Sequence, residues 1–71
     1  MKMAAWKKIL VLPGASIRDA IRILDESAKQ IVLVVDENNR LLGTVTDGDI
    51  RRSILKGMSL DEPVQSIMNP D

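Results

Sequence analysis

Apolar residues fall into short runs and helical stripes along this chain. Ile9-Leu10-Val11-Leu12 is an unbroken run stopped by Pro13-Gly14, which predicts a buried strand closing in a turn. Behind Ser16, the expected N-cap, Ile17, Ala20, Ile21, Leu24 and Ala28 recur at helical spacing, while Arg18, Asp19, Arg22, Asp25 and Glu26 take the other faces. One side of this helix is therefore core. Ile31-Val32-Leu33-Val34-Val35 is apolar without alternation and rich in β-branched residues, the pattern of a strand covered on both faces. Asp36-Glu37-Asn38-Asn39-Arg40 can reverse the chain, because Asn tolerates left-handed backbone, and Leu41-Leu42-Gly43-Thr44-Val45 returns as an antiparallel partner.

A second amphipathic helix is expected from about Gly48 to Lys56, with Ile50, Ile54 and Leu55 inward and Gly57 as its C-cap. Ser59-x-x-Glu62 and Pro63 open a short third helix carrying Val64, Ile67 and Met68, and Asn69-Pro70-Asp71 reads as a linker. The order β-α-β-β-α predicts an α+β fold, a three-stranded mixed sheet with its helices on one face. That leaves the other face bare, although the second strand reads as buried on both sides. A second copy of the unit, on the same or another chain, resolves the conflict.

Size points the same way, since 71 residues form one small domain that buries only about 60% of its unfolded surface alone. Ten basic and ten acidic residues cancel, which gives no reason to expect nucleic acid, and the single aromatic, Trp6, offers no row of rings for stacking bases. The absence of Cys and His removes thiolate nucleophiles, disulfides, the usual zinc sites and the commonest general base. No enzyme is expected from this residue set. Residues 1–8 lack the apolar core of a signal peptide, and no apolar run approaches the roughly 20 residues that span a bilayer. The default expectation is a cytoplasmic protein without a membrane partner, divided into an N-terminal segment 1–8, a folded unit 9–68 and a tail 69–71.

The stretch Gly43-Thr44-Val45-Thr46-Asp47-Gly48-Asp49 couples a strand end to a helix start. Thr46-x-x-Asp49 matches a capping box, in which the hydroxyl and carboxylate satisfy the helix's first N–H groups. The same geometry suits a ligand, with phosphate on the helix N-terminus and Thr46, ribose hydroxyls on Asp49, and Gly48 admitting a close approach. Arg51 and Arg52 lie within a turn and can neutralise phosphate, or form a solvated face. Asp47-Gly48-Asp49 is a thin basis for Mg²⁺, and Asp36-x-Asn38-x-Arg40 fails as a calcium loop at Arg40 and Leu41. Ser16-x-x-Asp19 reads only as a capping box. DNA binding through the Arg51-Arg52 helix lacks a supporting basic surface.

The chain resembles the cystathionine-β-synthase (CBS) motif from about Ile9 to Met68. The similarity is carried by four fragments in register: Ser16-Ile17-Arg18-Asp19-Ala20, Val34-Val35-Asp36-Glu37, Gly43 through Ile50, and Val64-x-x-Ile67-Met68. Such motifs pair through their sheets into a Bateman module, so the resemblance implies either a piece of a longer protein or a single motif that pairs as a homodimer. It further implies an adenine nucleotide, AMP, ADP or ATP, or a related adenosyl compound, bound in the cleft between units as a regulatory ligand, with no cofactor. Thr46 is assigned to phosphate or ribose, Asp49 to ribose hydroxyls, and the base to the neighbourhood of Ile9, Gln30 and Ile31. Phosphate-binding members often carry a basic residue at the start of that strand, where this chain has Gln30-Ile31 with Lys29 just before. The wording from Gly43 to Arg52, with the Trp-containing start, is most similar to CBS pairs preceding sugar-phosphate nucleotidyltransferase domains. A regulatory module controlling an attached or associated enzyme is the expected function. The alternative is a ligand-free dimerisation module whose Thr46 and Asp49 only cap a helix.

Overall fold

The computed structural model describes residues 9–27 and 30–70. Its elements are β1 (Leu10–Val11), α1 (Ile17–Ser27), β2 (Ile31–Val35), β3 (Leu41–Thr46), α2 (Asp47–Leu55), a 3₁₀ turn (Val64–Ser66) and β4 (Asn69–Pro70). The sheet has the order β1-β2-β3-β4. The α1 crossover makes β1 and β2 parallel, and the short connection after β2 makes β2 and β3 antiparallel. At that connection Asp36 Oδ1 accepts from the backbone N–H groups of Asn38 at 2.8 Å and Arg40 at 3.0 Å, while Asn39 takes a positive φ of 63°. This is the turn chemistry expected of Asp and Asn.

Paired residues share a face of a sheet, so the register sorts the side chains. Val32 with Val45, and Val34 with Gly43, face the helices. Leu10, Leu33 and Thr44 lie on the opposite face, as do Ile31 and Thr46. Val32, Val34 and Val45 are fully buried against Ile17 and Ala20 of α1, Ile50 of α2 and Val64. Ile31 and Leu33 stay half exposed. The second strand is thus fully buried on one face, at Val32 and Val34, and only partly buried on the other, at Ile31 and Leu33.

The C-terminal segment is laced to the start of α1. Ile17 N donates to Glu62 O at 2.9 Å, Arg18 N to Leu60 O at 2.9 Å, and Val64 N to Ala15 O at 2.7 Å. These bonds occupy free N–H groups of the first turn and drive Val64 into the core.

Several expectations need correction. Ile54 and Leu55 are not inward: they are 52% and 80% exposed. The buried positions of α2 are Asp49, Ile50 and Ser53, and the Ser53 hydroxyl enters the interior because it donates to Ile50 O at 2.7 Å. Leu12 is exposed rather than part of the first strand. The third helix is one 3₁₀ turn, with Ile67 and Met68 just beyond it. A fourth strand joins the three expected, as Asn69 and Pro70 of the presumed linker pair with Thr44 and Gly43. Trp6 with the rest of residues 1–8, Ala28, Lys29 and Asp71 lie outside the described residues.

Candidate functional site

Thr46 ends β3 in an extended conformation and becomes the N-cap of α2 without an intervening loop. Asp49 N donates to Thr46 Oγ1 at 3.3 Å, and Thr46 N donates to Asp49 Oδ2 at 2.8 Å, which completes the capping box. The Thr46 hydroxyl donates to the same Oδ2 at 2.9 Å. Asn69 Nδ2 adds a further bond at 2.8 Å, and Arg52 Nη2 donates to Oδ1. Asp49 is therefore almost closed to solvent, at 6% exposure, with every polar atom satisfied. Burial works to raise its carboxyl pKa, but the bonds from Thr46, Asn69 and Arg52 together outweigh it and hold the group below the usual carboxylate value.

A cavity of about 700 Å³ opens beside this corner, between α1 and the start of α2. Gln30, Thr46, Asp47 and Gly48 line it, opposite Ile21, Leu24 and Asp25 of α1. Asp49 instead lines a smaller cavity of about 250 Å³ on the other side of the corner, with Arg52, Lys56 and Asn69. The capping box is the wall between the two. A Cβ on Gly48 would lie 3.5 Å from Arg52 Nη1 and 3.8 Å from Thr46 Oγ1, so Arg52 reaches back over the helix start.

The residues named from the sequence thus gather at one end of the sheet. Gln30 lines the larger cavity, and Ile31 pairs with Thr46. Ile9 is buried, and its carbonyl accepts from Leu33 N at 2.8 Å, which places it at the same end but outside the cavity wall. Arg52 is 65% exposed at its side chain and sits on the Asp49 side. Arg51 pairs with Asp47 at 2.8 Å. The Asp47 and Asp49 carboxylates face different partners, and among the described residues no cluster of three metal-ligating side chains occurs. Sequence reasoning missed Ile21, Leu24 and Asp25 as cavity walls, having assigned them to the core and the outer helix face. It also missed Asn69, which carries no signal beyond its place before a proline.

Chemically the corner offers N–H groups at a helix start and a hydroxyl, both suited to an anion or a sugar. Asp25 and Asp47 stand in the same cavity; Arg51 offsets the charge of Asp47, and Asp25 is left to disfavour phosphate there.

The unit is an α+β fold with a cavity at a strand-to-helix corner. The chain belongs to the CBS domain family, whose description matches residues 5–56. It is 39% identical over 56 residues to an uncharacterised protein of Helicobacter pylori strain J99, a match covering 79% of this chain and 17% of that protein. It is 36% identical over 61 residues to arabinose 5-phosphate isomerase GutQ of Salmonella typhi, covering 86% of this chain and 19% of the isomerase. Among solved structures, an uncharacterised conserved protein from Pyrococcus horikoshii superposes with a TM-score of 0.82 at 31% identity, over 89% of this chain and 48% of that one. CBSX2 in complex with AMP gives a TM-score of 0.70 at 28% identity, covering 87% and 50%. The CBS domain pair of protein MJ0100, in complex with 5′-methylthioadenosine and S-adenosyl-L-methionine, gives 0.78 at 25% identity, covering 89% and 50%. The chain spans less than a fifth of the length of these two curated relatives and about half of each solved chain. Among the described residues no helix is long and apolar enough to cross a membrane.

Proposed function

We propose that this chain is a regulatory module that binds an adenine nucleotide between two paired CBS motifs and controls an attached or associated enzyme. The observation that carries the reading is the Thr46–Asp49 corner between two cavities, the larger presenting the Thr46 hydroxyl, the helix start and Gly48 opposite Ile21 and Leu24, the smaller reaching Asp49 and Arg52. An apolar slot with a few convergent polar groups is the usual form of a small-molecule site. CBSX2 is solved with AMP and MJ0100 with adenosyl compounds, which supports the same ligand class here. Thr46 serves phosphate or ribose, Asp49 the ribose hydroxyls, Arg52 the phosphate, and Gln30, Ile31 and Ile9 the surroundings of the base. The sheet face carrying the partly buried Leu10, Ile31 and Leu33 supports pairing with a second unit, a homodimer where the second unit is another copy of this chain.

The module regulates by binding its ligand with different affinity in two arrangements of the paired units. The chain carries no catalytic group of its own in this reading. The wording of residues 43–52 favours a sugar-phosphate nucleotidyltransferase as the controlled enzyme, while the relative GutQ is an arabinose 5-phosphate isomerase. Both act on sugar phosphates, and that substrate class is the shared proposal.

Thermal unfolding at several protein concentrations, with and without AMP, tests the reading. A dimeric nucleotide module melts higher at higher protein concentration, and higher again with AMP, because a ligand of the native state stabilises it by mass action. A concentration-dependent melt that AMP leaves unmoved favours the ligand-free dimerisation module instead.

A further inference from the structure

The Asp49 carboxylate accepts four hydrogen bonds, three on Oδ2 and one on Oδ1. A carboxylate has about four lone-pair sites, so this one has no room for the two hydroxyls of a ribose unless donors leave. Thr46 N is fixed by the capping box, and Thr46 lines the larger cavity rather than the one that reaches Asp49. The donors that can leave are Arg52, whose side chain is largely in solvent, and Asn69, an exposed residue. Both flank the small cavity that reaches Asp49.

Asn69 is not an ordinary surface residue. It opens β4, which pairs with β3 through only two residue pairs, Gly43 with Pro70 and Thr44 with Asn69. The Asn69 side chain thus adds an anchor to a short edge strand.

We propose that Asn69 is a latch: its bond to Asp49 docks β4 while the ribose site is empty, and a ribose that takes Asp49 displaces it and loosens β4. The inference rests on the nucleotide reading above and deepens it by naming how occupancy reaches β4. Linkage makes the coupling reciprocal, so docked β4 weakens ligand binding by the factor by which bound ligand weakens β4 docking. A hydrogen bond to a charged group sets that factor on the order of tenfold.

The test uses the full chain, as wild type and as Asn69→Ala, with AMP as the probe. Calorimetry gives affinity, and hydrogen exchange gives the protection of the β3 and β4 amides at Thr44 and Asn69. The latch predicts that AMP speeds exchange at these amides in the wild type. Asn69→Ala shows the fast exchange without ligand, gains no more with it, and binds AMP roughly tenfold more tightly. AMP binding of equal or lower affinity in the variant, or wild-type exchange that AMP slows or leaves unchanged, overturns the latch while leaving the nucleotide site standing. Binding by neither protein overturns the nucleotide reading and the latch with it.

Discussion

A Cβ on Gly43 would lie 2.6 Å from the backbone carbonyl oxygen of Asn69. The two residues belong to β3 and β4, and the absent side chain is what lets β4 lie against the sheet. Met68 Sδ at 2.9 Å from the same point closes the other side. Gly43→Ala should therefore expel β4 rather than be absorbed. Overpacking of this kind costs about 1–3 kcal/mol, and chemical denaturation should show an unfolding free energy lowered by that amount, with exchange at Thr44 accelerated.

The chain holds two capping boxes of the same design, which serve as each other's control. Ser16 and Asp19 reproduce the reciprocal bonds at 3.0 and 3.2 Å at the start of α1. Loss of either N-cap hydroxyl, in Ser16→Ala or Thr46→Ala, should cost about 1 kcal/mol of stability. Only Thr46→Ala should weaken AMP binding. Equal losses of binding in the two variants would mean that the effect passes through stability alone.

Acid should destabilise the domain through three carboxylates held below the ordinary value of 3.8. The backbone bond from Ser16 is the largest cause at Asp19, and that from Arg40 at Asp36. At Asp49 burial opposes the shift and the bonds from Thr46, Asn69 and Arg52 prevail. A folded pKa below the unfolded one gives stability that is present in full above the unfolded value and is lost as pH falls through the folded value. Urea midpoints should be flat from about pH 7 to about pH 5 and drop below about pH 4. A midpoint that rises on acidification would contradict these assignments.

The partly buried sheet face makes a separate prediction. Leu33 is half exposed and pairs with Leu10 and Thr44 on that side, away from the buried cluster. Leu33→Asp should leave the core of Val32, Val34 and Val45 in place while placing a charge where a second unit is expected to lie. Sedimentation should find a dimer for the wild type and a monomer for the variant, with an unchanged circular dichroism spectrum. A wild-type monomer at all concentrations would contradict pairing between copies.

Local chemistry made much of this legible in the sequence. Asn39 and the capping box at Thr46 occupy the positions their side chains require, and Gly57, expected as the C-cap, takes a φ of 84° one residue past the C-cap Lys56. Helical periodicity placed Ile17, Ala20 and Ile50 in the core, but for Ile54 it failed. The inward position was taken by Ser53, whose hydroxyl bonds its own helix and so escapes the usual cost of burying a polar group. The pairing of Asn69 with Asp49 spans 20 residues, and no local pattern encodes it. The division of the site into two cavities, with Thr46 and Asp49 on opposite sides of one wall, is likewise a property of packing between α1 and α2.

Asp25 and Asp47 in the larger cavity give the ligand series an order. Phosphates directed into the larger cavity approach Asp25 and the Arg51-paired Asp47, whereas phosphates directed to Arg52 do not, so the order AMP tighter than ADP tighter than ATP is expected of the first placement. High salt should narrow the differences by screening. The reverse order at low salt would show that the phosphates point away from these carboxylates.

Isothermal titration of AMP into the wild type, Thr46→Ala and Asp49→Ala, each first shown to be folded by its melting curve, tests the central claim most directly. Saturable heat for the wild type, with affinity reduced by a factor of ten or so in each variant, is the predicted result. No heat at about millimolar AMP, in the range of the weakest specific affinities, or binding indifferent to both substitutions, would contradict it.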